Sequence, residues 1–284
     1  MPDGSELRNQ LRDEGVVFLR NALDQSELAM AREAFEWSLA HPSASACDFS
    51  QDRSTKFYQD LCNPKAFPAY RRLLEESHAA DIIADLWGAP DVWFMYEQVF
   101  LKEGGASRRT PWHQDSSYLP VDGEKIAVMW ISFDVLDRER SLEFVLKSHR
   151  GVLYDGSRFD PDDDTAPLYG DGRFPRLPNI EAGRDRWDII SFAVEPGDVV
   201  VFHPAMLHGG APTKPEGRRR TLSLRFFGQD ATYIKRSAFD DSGARRQTGE
   251  VPDGNSTIFA LLGRTLVTGE PFRHPGFPKL RPRA

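Results

Sequence analysis

The chain has 284 residues, of which 40% are hydrophobic and 11% aromatic, and carries a net charge of -7. That is enough apolar material for a sizeable core, while the acidic balance excludes nucleic acid as a default partner, because a phosphate-binding face needs clustered Lys and Arg. Cys47 and Cys62, the only cysteines, fit a reducing compartment and exclude a thiolate metal cluster.

The N-terminus shows neither the basic region nor the apolar core of a signal peptide. No uncharged apolar run reaches the length of a membrane span. Both point to a soluble, cytoplasmic protein with no membrane partner. The first 90 residues read as mainly helical. A short helix carrying Leu7 and Leu11 follows Ser5 and is stopped by Gly15, and residues 16–19 read as a strand. Asp24 is placed to cap a helix with Leu28, Ala31, Phe35 and Leu39 at helical spacing. Another helix follows Asn63-Pro64 and runs through Leu73-Leu74 to Trp87, with Gly88 and Pro90 closing it.

From residue 91 the pattern changes to strands, predicted at 92–102, 125–135, 141–145, 187–194, 198–202 and 219–227. Turn signals separate them at Gly104-Gly105, Asp122-Gly123 and Pro196-Gly197-Asp198. This rhythm predicts a mainly β fold with flanking helices, a double-stranded β-helix or jelly roll of the cupin kind. We expect one domain: a helical part over about 1–90, the jelly roll over about 91–228 and an extension over 229–284. The segment 155–186 breaks the rhythm, and loops of that length commonly cover a site. Its Asp160, Asp162, Asp163 and Asp164 lack the spacing of a calcium loop and read as solvating the segment. The tail, ending Arg281-Pro282-Arg283-Ala284, is expected at the surface.

The chemistry concentrates in Trp112-His113-Gln114-Asp115, followed 93 residues after Asp115 by His208 and 11 residues further on by Arg219. Two imidazoles and a carboxylate with open positions are the ligand set of a non-haem Fe(II) oxygenase. By itself a His-x-acid pair is weak: a chain with 7 His and 43 acidic residues contains about one by chance. Context strengthens it. His113 and His208 both sit at strand ends, and Gly209-Gly210 allows a tight turn after the second. His203 is the alternative ligand, disfavoured by its distance from the Gly-Gly bend and from Arg219. His149 reads as a turn-stabilising hydrogen bonder, and His41, His78 and His274 as surface residues.

Strand alternation places Arg219, Thr221, Ser223 and Arg225 on one face and Leu222, Leu224 and Phe226 on the other. If the polar face points inward, Arg219 can pair bidentately with a carboxylate; the alternative is a solvent-facing strand. The same alternation along Tyr96, Gln98, Phe100 and Lys102 offers Gln98 as an inward polar group.

These motifs resemble the phytanoyl-CoA dioxygenase (PhyH-like) family of Fe(II)/2-oxoglutarate oxygenases. The residues that carry the likeness are Asp13-Glu14-Gly15-Val16-Val17-Phe18-Leu19-Arg20, Trp112-His113-Gln114-Asp115 with Tyr118, and Val128-Met129-Trp130-Ile131. Ser141-Leu142-Glu143-Phe144-Val145, Ser148-His149-Arg150, and Glu195-Pro196-Gly197-Asp198 through His208-Gly209 to the Arg219 strand complete it. The resemblance covers roughly residues 10–228. It implies that His113, Asp115 and His208 bind Fe(II), and that Arg219 holds the distal carboxylate of 2-oxoglutarate with Gln98 and Trp130 nearby. With O2, an unactivated C–H bond of a small molecule would be hydroxylated, releasing succinate and CO2.

Two departures stand out. Leu146-Lys147 replaces the usual Pro-Gly, and Gly210 replaces a hydroxyl residue whose contact Thr221 or Ser223 is placed to supply. Asp115 disfavours a halogenase, which needs that position vacant. Trp112, Tyr118 and Phe100 are expected as pocket walls. Arg225, with Arg108 and Arg109, hints at an anionic substrate. The rival readings are a metal-binding jelly roll without catalysis and a cupin-type isomerase or hydrolase, neither of which needs the arginine. Oligomeric state is not readable from the sequence.

Overall fold

The computed structural model describes residues 4–50, 55–104, 109–160, 162–212, 217–236 and 266–283. Four helices come first: α1 (Gly4–Glu14), α2 (Gln25–Ala40), α3 (Ala66–Glu76) and α4 (Ala79–Trp87). Asp24 caps α2 reciprocally. Its carboxylate accepts from the backbone of Ser26 and Glu27, and Glu27 accepts from the backbone of Asp24. The other oxygen of Glu27 accepts the His78 N–H at 2.7 Å. Ser77 is extended there, so the single helix expected after Asn63-Pro64 is two. At Gly15, with φ of 86°, a Cβ would lie 2.2 Å from Met206 Sδ. Only glycine ends α1 at that spot without a clash.

The strands are β1 (Val16–Leu19), β2 (Cys47–Asp48), β3 (Lys56–Leu61), β4 (Val92–Glu103), β5 (Thr110–His113), β6 (Val121–Asp122), β7 (Ile126–Ser132) and β8 (Leu142–Val145). They continue with β9 (Ile189–Ser191), β10 (Val199–Phe202), β11 (His208–Gly210), β12 (Arg218–Phe227), β13 (Thr232–Tyr233) and β14 (Lys279–Arg281). The pairings between them are antiparallel. A major sheet runs β1-β10-β7-β12-β4-β3-β2, with β14 also on β4, and a minor sheet runs β5-β11-β8-β9. The fold is a jelly roll.

Registration across the major sheet decides which side chains share a face. Val17, Ala127, Met129, Ile131, Val199, Val201, Leu222, Leu224 and Phe226 point to one side and pack with all four helices in the largest apolar cluster. The opposite face looks toward the minor sheet. There Val16, Val128, Trp130, Val200 and Phe202 pack with Phe144 and Met206. The polar face of β12 therefore points inward, because its apolar alternates are taken by the helices.

Four further elements differ from the sequence reading. β3, in a region expected to be helical, extends the major sheet beside β4. The short β5 and β11 were not recognised as strands. The C-terminal tail is not peripheral: β14 pairs with β4, and Phe272, Phe277, Leu280 and Arg281 are buried. Phe272 and Phe277 pack on Phe227, an apolar surface that solvent would otherwise reach. Among the described residues no helix is long and apolar enough to cross a membrane.

Candidate metal centre

β5 ends on His113 and β11 begins on His208, and the two residues are direct cross-strand partners. Their ring centroids are 4.2 Å apart. Each Nδ1 meets the carbonyl two residues earlier, Pro111 at 2.8 Å and Met206 at 3.0 Å. A carbonyl only accepts, so Nδ1 carries the proton in each neutral ring and Nε2 keeps its lone pair. Both Nε2 atoms face Asp115 Oδ1, at 3.5 and 3.9 Å. The ligand atoms of the three residues lie within 4.8 Å of one another.

This donor set fits iron. Two imidazole lone pairs and one carboxylate oxygen converge, and the second nitrogen of each ring is held by a backbone carbonyl, as metal-bound histidines require. Burial, reinforced by the His113 ring, takes the His208 pKa down to about 3, which keeps it neutral and ready to ligate. Burial opposes ionisation of Asp115, but the Arg225 guanidinium and the two histidines overcome it and hold the carboxyl well below the usual carboxylate range.

Gln114, between the two ligands of the first motif, fastens them to the third. Its Nε2 donates to Ala205 O at 2.7 Å and Val152 O at 3.1 Å, and its Oε1 accepts from Tyr154 N at 2.9 Å. One amide thus ties the His113–Asp115 segment to the turn before His208 and to the start of the long covering segment. The sequence reading gave Gln114 no role; its place between two ligands was the available signal.

The inner face of the major sheet forms rungs. Tyr96, Arg225 and Val128 share one; Gln98, Ser223 and Trp130 the next; Phe100, Thr221 and Ser132 the third; Lys102 and Arg219 the last. The minor sheet opposes them with His113 and His208 at one end and Thr110 with Gly210 at the other. Arg219 belongs to the second end. Its Nη1 donates to Arg140 O at 2.8 Å and Ala211 O at 3.1 Å, and among the described residues it meets no carboxylate. Burial lowers its pKa to about 10, so it stays charged at neutral pH. A Cβ on Gly210 would lie 3.2 Å from Arg219 Nη2 and 3.1 Å from Thr110 Oγ1. Glycine at this position lets the guanidinium approach the strand. Lys102, fully buried, reaches Thr110 Oγ1 at 3.4 Å. Burial, followed by the charges of Arg219 and Arg109, pushes its pKa well below the ordinary lysine value. Although alternation put Lys102 on the inner face, the sequence reading used only Gln98 and Phe100 from that strand.

Other expectations need correction. Arg225, expected to face substrate, instead donates from Nη2 to Asp115 Oδ2 at 2.8 Å and to Gln98 Oε1 at 2.6 Å. Trp112 does not wall the metal centre. Alternation along β5 turns it away from His113, and it packs with Val145, Leu177, Ile180 and Leu207 while Nε1 donates to Glu181 at 2.6 Å. Arg109 offers no free charge either: it pairs with Glu143 and Glu181, each at 2.9 Å. Arg108 lies outside the described residues. Phe100 is on the inner face, and Tyr118 stands edge-on to His113 at 6.2 Å. Phe159, to which the sequence reading gave no role, also stands edge-on to His113, at 5.4 Å. Its φ of 57° is the left-handed region, uncommon for a bulky side chain. His203 is turned away, bonding Gly123 O and Ala205 N.

The segment 155–186 folds over this region. Asp155 accepts from the backbone of Tyr169 and Gly170, Tyr118 Oη donates to Ser157 O at 2.8 Å, and Tyr169 Oη donates to Ser117 O at 2.5 Å. Asp160 and Asp163 pair with Arg158 and Arg176.

A jelly roll holding two histidines and a carboxylate at one end of its interior, with a buried arginine at the other, defines an enzyme of the Fe(II)/2-oxoglutarate-dependent oxygenase superfamily. The family model for phytanoyl-CoA dioxygenase (PhyH) matches residues 11–221, and the chain belongs to that family. A probable phytanoyl-CoA dioxygenase of Caenorhabditis elegans is 24% identical over 285 residues, covering 93% of this chain and 88% of that protein. The human peroxisomal phytanoyl-CoA dioxygenase is 27% identical over 150 residues, 51% of this chain and 42% of that enzyme, so the match spans less than half of the human protein. Among solved structures, the epimerase SnoN with Fe3+, alpha ketoglutarate and nogalamycin RO superposes with a TM-score of 0.68 at 20% identity, covering 98% of each chain. At that identity the likeness shows the fold.

Proposed function

We propose that the protein is a 2-oxoglutarate-dependent hydroxylase that inserts oxygen into an unactivated C–H bond of a small molecule. One observation carries the reading: the His113–His208 rung and the buried Arg219 occupy opposite ends of the same interior face pair. On β5 the two ends are separated by the step from Thr110 to His113, about 10 Å at roughly 3.3 Å per residue. A five-carbon dicarboxylate that chelates a metal through its keto acid end has the reach to place its distal carboxylate at Arg219.

Bound iron and 2-oxoglutarate supply the oxidant with O2, and the co-substrate leaves as succinate and CO2. The chain's own residues bind, orient and exclude water. His113, Asp115 and His208 hold the metal. Arg219, with Lys102 and Thr110 beside it, binds the distal carboxylate, and Gln98, Ser223, Thr221 and Trp130 line the face between. Phe144 and Phe202 back the His208 ring at 6.1 and 4.8 Å. Tyr118 and Phe159 cover His113, leaving substrate to approach along an aromatic edge and keeping water from the reacting centre. With Arg225 and Arg109 engaged elsewhere, two of the three arginines that suggested an anionic substrate no longer support that idea. A metal-binding protein without catalysis, or a cupin-type isomerase, has no use for a buried arginine that meets no acid among the described residues.

The test is an anaerobic titration. Fe(II) and 2-oxoglutarate together are expected to give a visible charge-transfer band that neither gives alone. Succinate formation without Fe(II) would rule the mechanism out.

A further inference from the structure

We infer that Arg225 is a positioning residue that holds Asp115 as a one-oxygen donor and so preserves three open positions on the metal. The inference rests on reading the site as an iron centre. The two N–H groups of Nη2 have separate partners: one reaches Asp115 Oδ2 at 2.8 Å, the other Gln98 Oε1 at 2.6 Å. The guanidinium lies over the Tyr96 ring at 4.6 Å and is buried. It is therefore fixed on two sides, by an amide and by an aromatic face. The register between β12 and β4 slips by one residue immediately after Arg225. Bulges next to active sites re-aim a side chain in this way.

The two carboxylate oxygens of Asp115 thus have different jobs. Oδ1 faces Nε2 of His113 and of His208, while Oδ2 is bound by a cation. A carboxylate beside a divalent metal can otherwise turn so that both oxygens coordinate. Here that turn would break a charge-assisted hydrogen bond in a buried site, where such bonds are strong. The consequence is a matter of counting. On a six-coordinate metal, two histidines and a one-oxygen carboxylate leave about three positions. A chelating keto acid fills two, and O2 needs the third. If Oδ2 also coordinated, no position would remain for oxygen once the co-substrate had bound.

The experiment uses the full chain loaded with Mn(II), without co-substrate, and reads the water-proton relaxivity of the bound ion. Binding is followed separately by the EPR signal of free Mn(II). In Arg225→Met, Oδ2 is released to the metal and displaces one water. The relaxivity per bound ion is expected to fall by about one third, in keeping with three positions becoming two. Arg225→Lys retains one charged donor and is expected to keep the unmodified value. If the methionine variant fails to fold, Arg225→Leu, which likewise has no group that can donate to Oδ2, provides the same comparison with the same expected fall of about one third. A lower melting temperature with unchanged relaxivity would mean that Arg225 is merely structural, and would overturn the inference. Failure of the unmodified protein to bind Mn(II) would instead overturn the reading of the metal centre.

Discussion

Arg219→Met separates charge recognition from packing, because methionine keeps an apolar stem in a buried slot. In the unmodified protein Nη1 is occupied by the carbonyls of Arg140 and Ala211, which leaves Nη2, beside Gly210, for a carboxylate. Truncating one partner of a buried, hydrogen-bonded charge pair costs about 2–5 kcal/mol. At roughly 1.4 kcal/mol per tenfold, the Kd of 2-oxoglutarate is expected to rise about 30- to 4,000-fold. Tryptophan fluorescence of the Mn(II)-loaded protein provides the titration. The control ligand is 2-oxobutyrate, which has the same keto acid end and no distal carboxylate. It should bind the variant and the unmodified protein within about a factor of two, since uniform losses of less than ~0.5 kcal/mol are ordinary for a change it does not touch. Equal weakening of both keto acids would mean that the substitution has disturbed the metal end, and an unchanged Kd for 2-oxoglutarate would place the carboxylate elsewhere. Either result refutes the clamp. The variant also leaves two carbonyls without their donor, at about 1–3 kcal/mol each if no water replaces it. Arg219→Lys, which retains a charge but not the planar fork, is accordingly expected to be intermediate.

Three further outcomes follow from contacts away from the clamp. Gln114→Leu removes the amide that joins both ligand segments, so the melting temperature should fall by at least ~6 °C, at about 3 kcal/mol or more of lost bonding. Mn(II) affinity should drop about 10- to 100-fold with it; unchanged affinity would show that the strands alone hold the ligands. Glu97 is buried with its pKa raised to about 8 by burial, against an ordinary 4.5. The folded chain thus binds a proton that the unfolded chain has released over this window. Stability from this group is full below pH 4.5 and declines as pH rises toward 8, and Glu97→Gln should flatten that slope in melting temperature against pH. Glu143→Gln loosens the pairing that clips the short turn Glu181–Arg186, through Arg184 and Arg109, to the outside of the minor sheet. For a partly exposed network worth about 1 kcal/mol, trypsin should cleave within 155–186 roughly fivefold faster; an unchanged rate would show that Tyr118 and Tyr169 suffice to hold the segment.

Much of the site was legible because its residues sit where periodicity is strong. Alternation along residues 219–226 separated polar from apolar residues, and the structure shows why: Leu222, Leu224 and Phe226 meet the helices, so the polar set has only the interior. His113 and His208 stood out from their surroundings, His208 after an apolar strand and before two glycines. What remained hidden depends on pairing across the chain. β5 and β11 are too short to show a period, and only their mutual register brings His113 opposite His208. Whether Trp112 faced the metal or the covering segment could be decided only once β5 was known to be a strand, since alternation then sends adjacent residues to opposite faces. The arginines were identifiable as cations but not by partner: Arg225 finds Asp115 across 110 residues, and Arg109 finds Glu143 across 34. The tail was misjudged on its Pro and Arg content, although Phe272, Phe277 and Leu280 were the better guide.

The arrangement also explains how a sheet tolerates a face so costly to bury. Arg219, Arg225, Lys102, Asp115, His208, Thr221 and Ser223 all lie out of solvent between the two sheets, and each ionised group there loses hydration that its few partners restore only in part. A sandwich that depended on that face for cohesion would be marginal. Here the opposite face of the same strands carries Met129, Ile131, Val199, Val201, Leu222, Leu224 and Phe226 into a core completed by four helices. At about 25 cal/mol per Å2 of apolar surface, that layer supplies the driving force independently of what lies inside. The helical N-terminal part is therefore what lets the interior remain polar, and substitutions that weaken it, such as Phe35→Ala at about 3–5 kcal/mol, should lower the melting temperature while leaving the Kd of Mn(II) for the folded protein unchanged. Loss of metal affinity in the folded fraction of Phe35→Ala would contradict this separation of stability from function across the two faces of one sheet.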